Sequence, residues 1–338
     1  IDEVVVNGYF TRKKESYTGV STTFSGNDLR KVSTGNILNT LSMLDPSFTK
    51  VVNNEMGSDP NTIPNFEIRG SSSLKADFDG NPNMPTFIMD GFEVSAEKVF
   101  DLDPTRVRFI TILKDAAATA MYGSRGANGV VVVTTLAPQP GKLRVSYNFD
   151  GALTAPDLSD YNLMNSSEKL EFERLAGYYG DLDENGEVES ESKQRLYYQR
   201  LAEVTRGVDT YWMSEPLRFA VSHSHNLFAE GGDDRMRYGL GFSYNKTQGV
   251  MKGSDRDVIN GNVQLLYRYK TLSFKNYLNL DYTMSSREKV AFSKFSQSNP
   301  YHRKKNEFGV VEQVLEQYWD SDSDSPTYLK DLNTYNPL

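Results

Sequence analysis

The chain has no cysteine, three histidines and two tryptophans among its 338 residues. Without cysteine it forms no disulfide and offers no thiolate as nucleophile or metal ligand. No apolar run approaches the roughly 18–20 residues that a transmembrane helix needs. Transmembrane β-strands stay open, because their alternating pattern escapes a hydropathy window. Positive charge is the scarcer sign: 37 Lys and Arg against 45 Asp and Glu give a formal net charge of −8, which argues against nucleic acid, a partner that needs a basic footprint. The opening IDEVVVNGY has no basic n-region and no long apolar core, so a signal peptide is expected to have been removed or to lie outside this sequence. No G-K-[ST], nucleophile elbow or acid/base pair of carboxylates is present, so no catalytic set is offered. Twenty Tyr and 18 Phe, by contrast, favour β-rich, aromatic-lined surfaces.

Residues 1–138 read as a compact α/β domain. STGNILNTLSML (33–44) puts Ile37, Leu38, Leu41 and Leu44 on one helical face behind a Ser33/Thr34 cap. NFEIRG (65–70) and PTFIMDG (85–91) are short strands that stop at glycine. RVRFITILKD (106–115) is a further strand leading into a helix at 115–122. Pro138 and Pro140 then break the chain, and the domain boundary is expected there.

From 142 onward the period changes to two. Leu143, Val145, Tyr147 and Phe149 face one side of a strand, and Arg144, Ser146, Asn148 and Asp150 the other. Met236, Tyr238, Leu240, Phe242 and Tyr244 repeat the pattern, as do Val263, Leu265, Tyr267 and Tyr269, then Leu278, Leu280, Tyr282 and Met284. A soluble β-sandwich with one face in a core gives the same alternation. The connections separate the two readings. They run long (to about 221), short (GGDD, 231–234), medium (247–257), short (270–271) and long again (287–338), which is the rhythm of outer-membrane barrels.

KDAAATAMYGSRGANGVVVVTT (114–135) packs Gly123, Gly126 and Gly129 between a helix and a valine strand. A phosphate cradle precedes a helix, where free N–H groups and the positive dipole end point at the anion. Here the order is reversed and the glycines meet the negative end. A helix C-cap with close backbone packing accounts for them.

The same stretch, LKDAAATAMYGSRGANGVVVVTT, resembles the end of the plug domain of TonB-dependent outer-membrane transporters of the SusC-like branch. DEVVVNGY (2–9), EIRGSSSL (67–74) and PTFIMDG (85–91) match in the expected order, and SHSHNLFAEGG (222–232) resembles an early barrel strand and turn. The likeness covers residues 1 to about 290. Arg106 and Arg108 stand where the family more often carries an acidic-isoleucine stretch, and LSMLDPSFTKV (41–51) replaces a commoner glycine-bearing segment.

The resemblance implies an α+β plug domain followed by antiparallel strands of a transmembrane β-barrel, here an incomplete barrel of about five strands. It implies a TonB-box-like segment at 1–10, a plug at 11–138, and barrel strands from 139 with long extracellular loops at about 154–221 and 287–338. The chain is expected to be part of a longer protein in the bacterial outer membrane, in contact with its lipid, and not an enzyme. The implied partners are TonB, a SusD-like surface lipoprotein and a glycan or peptide substrate. Asp2, Glu3, Val4, Val5 and Val6 become the TonB contact. Three β-branched residues in a row favour an extended strand that can add to a partner's sheet edge, although an ordinary first plug strand would read the same. Arg69, Gly70, Asp90, Gly91, Lys114, Asp115, Tyr122, Gly123, Arg125, Gly126 and Gly129 become plug-motif residues that hold internal turns and charge pairs.

Two further constellations stand apart. DLDENGEVESES (181–192) reads D-x-D-x-N-G, so Asp181, Asp183 and Asn185 are candidate calcium ligands. Ser192 occupies the place of the bidentate Glu, and a solvated acidic turn is the alternative. His223 and His225 share a strand face at a spacing zinc uses, without an evident third ligand. The competing function, a soluble surface-binding module with an α/β domain and a β-sandwich, requires the period-two strands to close a water-soluble core.

Overall fold

A computed structural model describes residues 4–6, 11–13, 19–32, 36–51, 59–68, 70, 83–180, 191–287, 290–319 and 331–338. Two compact units emerge. One holds residues 1–153, 221–249 and 254–286; the other holds 154–220, 250–253 and 287–338.

In the first unit, β1 (Val4–Val6) pairs antiparallel with β2 (Thr11–Lys13). Then come β3 (Ser21–Ser25), α1 (Gly26–Val32), α2 (Ile37–Leu44), β4 (Phe48–Val51) and β5 (Asn65–Ile68). They are followed by β6 (Thr86–Met89), β7 (Phe92–Val94), α3 (Ala96–Phe100), β8 (Val107–Leu113), α4 (Ala116–Thr119) and β9 (Val130–Thr135). One sheet runs β3-β8-β9-β6-β7, with β6 parallel to β9 and the other pairs antiparallel. Its two faces explain the unbroken valine run. Val131 and Val133 join Ile110, Ile112, Leu38, Leu41 and Phe66 in the main core, while Val130 and Val132 pack with Leu113, Ile88 and Ala118 on the opposite side. A strand covered on both faces has no reason to alternate, and each such side chain contributes about 1.5–3 kcal/mol on burial.

Two local readings need correction. The cap of α2 is Asn36, whose Oδ1 accepts from the N–H groups of Leu38 and Asn39 at 2.9 and 3.1 Å, rather than Ser33 or Thr34. The helix expected over 115–122 is only one α-turn long, because a 3-10 turn, residues 120–126, takes over after Thr119.

The chain then enters a five-stranded meander: β10 (Gly141–Thr154), β11 (Ala220–Gly232), β12 (Met236–Gln248), β13 (Asp255–Tyr269) and β14 (Leu272–Ser286). The connection expected at 247–257 is shorter, spanning 249–254, because β13 already begins at Asp255. The turn after β13 is closed by Lys270, at φ 51°.

Register sorts the side chains of this sheet. Tyr244, Ile259 and Tyr282 lie in one cross-strand row, and Met236, Tyr267 and Phe274 in another, eight residues lower on β14. At about 3.4 Å per residue this is roughly 27 Å of strand, or roughly 20 Å along the axis of a barrel tilted by about 40°. Between the two aromatic rows lie Leu240, Phe242, Val263, Leu278 and Leu280. Most of this face is open: Leu143 is 62% and Leu280 67% exposed. A sandwich core would cover it, so the soluble-module reading is not favoured.

The second unit carries α5 (Ser166–Leu175), α6 (Glu191–Thr205), α7 (Phe292–Ser296), β15 (Val314–Trp319) and β16 (Asp331–Tyr335). Asn165 and Glu168 close a capping box at the start of α5. Leu170, Tyr179 and Leu196 form its small apolar centre.

Candidate functional site

The glycine hinge is built for close approach. Asp115 caps α4, accepting from Ala118 N–H at 2.7 Å through Oδ1 and from Val20 N–H at 2.8 Å through Oδ2. Gly123 then reverses the chain at φ 59°. A Cβ on Gly126 would lie 2.8 Å from Thr119 Cβ, and one on Gly129, at φ 89°, would lie 2.7 Å from Ile68 Cδ1. These positions need glycine for backbone angle or contact. Tyr122 packs on the cluster beneath, and Arg125 pairs with Glu93 while its carbonyl accepts from Thr86 Oγ1 at 2.6 Å.

Lys114 reaches 2.7 Å from Asp45 at the end of α2. Burial pushes the Asp45 carboxyl up, but Lys114 and the amide and hydroxyl of Ser47 hold it below the ordinary carboxylate range. Asp90 and Gly91, at φ 52° and 93°, make the turn between β6 and β7. Asp90 accepts from Thr135 N–H at 2.9 Å and from Thr135 Oγ1 at 2.6 Å. Burial nevertheless pushes its carboxyl up, outweighing these bonds and the nearby charges of Lys275 and Arg106. Gly70 is exposed at φ 89°. Arg69, Asp2, Glu3, Asp181, Asp183 and Asn185 lie outside the described residues, whereas Val4, Val5 and Val6 form β1 itself.

The plug meets the inner face of the meander through side chains. Arg256 on β13 grips Asp101, the residue capping the end of α3, at 2.7 and 2.8 Å. Lys98 pairs with Asp281 on β14. Ser254 Oγ donates to Asp59 at 2.9 Å, and Asn61 Nδ2 donates to the Ser286 carbonyl at 2.6 Å. On the other flank, the Arg106 guanidinium lies 3.3 Å above the Phe228 ring and Asn148 Nδ2 donates to Thr105 Oγ1 at 3.1 Å. Gln139 N–H donates to Glu230 at 2.9 Å. The contacts named here are separable polar ones, and among the described residues the plug's apolar clusters take no side chain from the meander. Sequence reasoning missed Asp59, Asn61, Lys98, Asp101 and Asp281 because their partners are distant in sequence. It missed Arg256 because that residue was read into a loop.

His223 and His225 stand 5.1 Å apart on the face turned away from the plug, and His225 Nδ1 lies 2.7 Å from the Tyr147 hydroxyl. They belong to an aromatic cluster with Phe149 and Tyr244. Among the described residues, no three His, Asp or Glu side chains are grouped to hold a metal.

Comparison with known proteins places this geometry. Residues 13–130 match the TonB-dependent Receptor Plug Domain family. The TonB-dependent receptor SusC of Bacteroides thetaiotaomicron is 29% identical over 262 residues, which is 75% of this chain and 23% of that protein. The TonB-dependent receptor P39 of Formosa agariphila is 26% identical over 268 residues, 78% of this chain and 23% of that protein. The chain thus spans less than a quarter of the length of these relatives. Among solved structures, the RagAB peptide importer in its open-open state superposes with a TM-score of 0.74 at 20% identity, covering 99% of this chain and 38% of that one. Its closed-closed state gives 0.70 at 18% identity, covering 95% and 36%. With a family match on residues 13–130, a shared fold beyond them and an open apolar band on the strands, the chain is similar to the SusC-like TonB-dependent receptors of the outer membrane, with a receptor plug followed by five antiparallel strands of an incomplete barrel wall.

Proposed function

We propose that this chain serves the TonB-dependent import of a large nutrient, a glycan or a peptide, with the plug gating the barrel and no catalytic step. The observation that carries the reading is the plug–wall interface. It consists of separable ion pairs and hydrogen bonds, so a pull on the plug breaks it one contact at a time instead of tearing a hydrophobic core. The likeness to SusC and to a peptide importer supports the substrate classes. It also supports two partners, TonB on the periplasmic side and a SusD-like lipoprotein outside. Asp2–Val6 is the proposed TonB handle; three β-branched residues suit addition to a partner's sheet edge.

The test uses the full-length receptor in its own outer membrane. Deleting Asp2–Val6 should abolish uptake of tagged nutrient while leaving surface binding intact. Joining Asp101→Cys to Arg256→Cys with a short bis-maleimide should also stop uptake. Uptake that survives both changes would overturn the gated-import reading.

A further inference from the structure

Arg106 departs from the pattern of the family that the chain resembles, and the structure gives it a definite place. It ends the 3-10 turn before β8, and its guanidinium lies 3.3 Å above the ring of Phe228 on β11, a residue only 6% exposed. Its Nη2 donates to the Leu136 carbonyl at 2.9 Å, and the Leu136 N–H donates back to the Arg106 carbonyl at 2.8 Å. The arginine therefore ties the exit of β9 to the wall. Glu230, Asp103 and Asp90 favour its positive charge, so an acid at this position would be repelled.

The wall is shaped to receive this end of the plug. Gly239 on β12 meets both Phe228 and Pro138: a Cβ there would lie 2.8 Å from Phe228 Cζ and 2.8 Å from Pro138 Cγ. Only glycine leaves room for both rings. Next along the linker, Gln139 N–H donates to Glu230 at 2.9 Å, and Arg144 on β10 donates to the same carboxylate at 3.1 Å. Residues 136–140 join β9 to β10, and fully extended they span at most about 18 Å. The end of the plug nearest the barrel strands is thus tethered by a short linker and held down by side chains.

Chain order decides which contacts a pull meets first. From the N-terminal side the force reaches β3, an edge strand of the plug sheet, then β4 to β7, then α3 with the Lys98 and Asp101 ion pairs, and only afterwards Arg106. We infer that Arg106 is a stop: import remodels the plug from its N-terminal side through α3, while β8, α4 and β9 stay seated on the wall through Arg106, Phe228 and Pro138. A desolvated guanidinium–ring stack favours the seated state about thirty-fold, the equivalent of about 2 kcal/mol. The seated strands keep their own pairing, from Val107 with Thr135 to Leu113 with Val130. The inference rests on the import reading and says how far its plug moves.

The experiment uses the full-length receptor in its own outer membrane. Arg106→Cys is joined to Phe228→Cys by a short bis-maleimide, and in a second receptor Gln139→Cys is joined to Glu230→Cys. Tagged nutrient should enter through both linked receptors at close to the rate of their unlinked forms, while the link between Asp101→Cys and Arg256→Cys stops it. Uptake lost on linking either seated pair would overturn the stop and leave gated import standing. So would uptake that persists through the Asp101–Arg256 link but not through deletion of Asp2–Val6. Uptake that survives both of those changes would remove the import reading, and the stop with it. Arg106→Ala supplies a readout that a purely structural role would not move. Passage of a bulky dye through the receptor should rise about thirty-fold, and only in cells that have TonB. No rise, or an equal rise in cells lacking TonB, would show that Arg106 does not bound the movement of the plug.

Discussion

Arg256, the first inward-facing residue of β13, holds both carboxylate oxygens of Asp101 at 2.7 and 2.8 Å. The arginine side chain is 9% exposed and the aspartate 14%. Burial still pushes the Asp101 carboxyl up, against the pull of the guanidinium. Removing the arginine alone therefore strands a charge in a nearly dry place. Arg256→Ala is expected to loosen the plug at α3 by about 3–5 kcal/mol, the range for breaking a buried pair. The double change Asp101→Asn with Arg256→Gln should cost clearly less. Protease cleavage of the plug in the detergent-solubilised receptor reads the difference. Equal cleavage of wild type and Arg256→Ala would show that the pair holds nothing.

Gly129 is the most constrained glycine of the hinge, since both its φ of 89° and its distance to Ile68 exclude a side chain. Gly129→Ala is expected to destabilise the plug by about 1–3 kcal/mol through strain, before any cost of displacing Ile68. Gly123→Ala meets nothing within 4 Å and carries the backbone cost alone. Thermal unfolding of the two variants in one detergent should rank Gly129→Ala as the worse, and the reverse order would contradict the packing role assigned to Gly129.

The legibility of this fold varied with the range of the interaction. Helix, glycines and valine strand at 114–135 could be ordered because each depends on near neighbours in sequence. The strands from 142 were visible through their period of two, but period alone cannot say whether an apolar face meets lipid or a second sheet; loop lengths carried that distinction. Asn36 was overlooked as a cap because Ser33 and Thr34 stand just before it and cap equally well. Asp101 and Arg256 lie 155 positions apart, and no local propensity records such a pairing.

Leu280 and Asn279 are neighbours on β14 that face opposite ways. Leu280 points away from the plug, in the band between the two aromatic rows, and Asn279 lines a cavity between plug and meander. Leu280→Arg is expected to cost about 2–4 kcal/mol of folding in lipid, as for a cation on a lipid-facing wall. Asn279→Arg should fold nearly as wild type, because its charge stays in a wet interior. Heat-modifiable migration after refolding into vesicles separates the two. A folded fraction that falls equally for both would deny that the open face is the lipid side.

Glu316 on β15 makes the second unit acid-sensitive. Arg200 on α6 donates to it through Nε at 2.9 Å and Nη2 at 2.6 Å, while its remaining Nη1 contacts Glu173 at 3.1 Å and the Tyr179 hydroxyl at 2.9 Å. Burial alone would push the Glu316 carboxyl up. The Arg200 fork, together with His302 at 3.6 Å, brings it instead to about 2, from an ordinary 4.5. A depressed acid stabilises the fold above its unfolded pKa, and that contribution is lost as pH falls through the folded one. The window therefore runs from about 4.5 down to about 2. The difference is worth about 3 kcal/mol at neutral pH. Glu316→Gln should remove most of it at pH 7 and leave the variant and wild type alike at the acid end. Hydrogen exchange of residues 196–205 and 300–317 in the full receptor, corrected for intrinsic rate, measures this directly. Protection that stays higher in wild type at the acid limit would mean that the Arg200–Glu316 pair is not what holds α6 to β15.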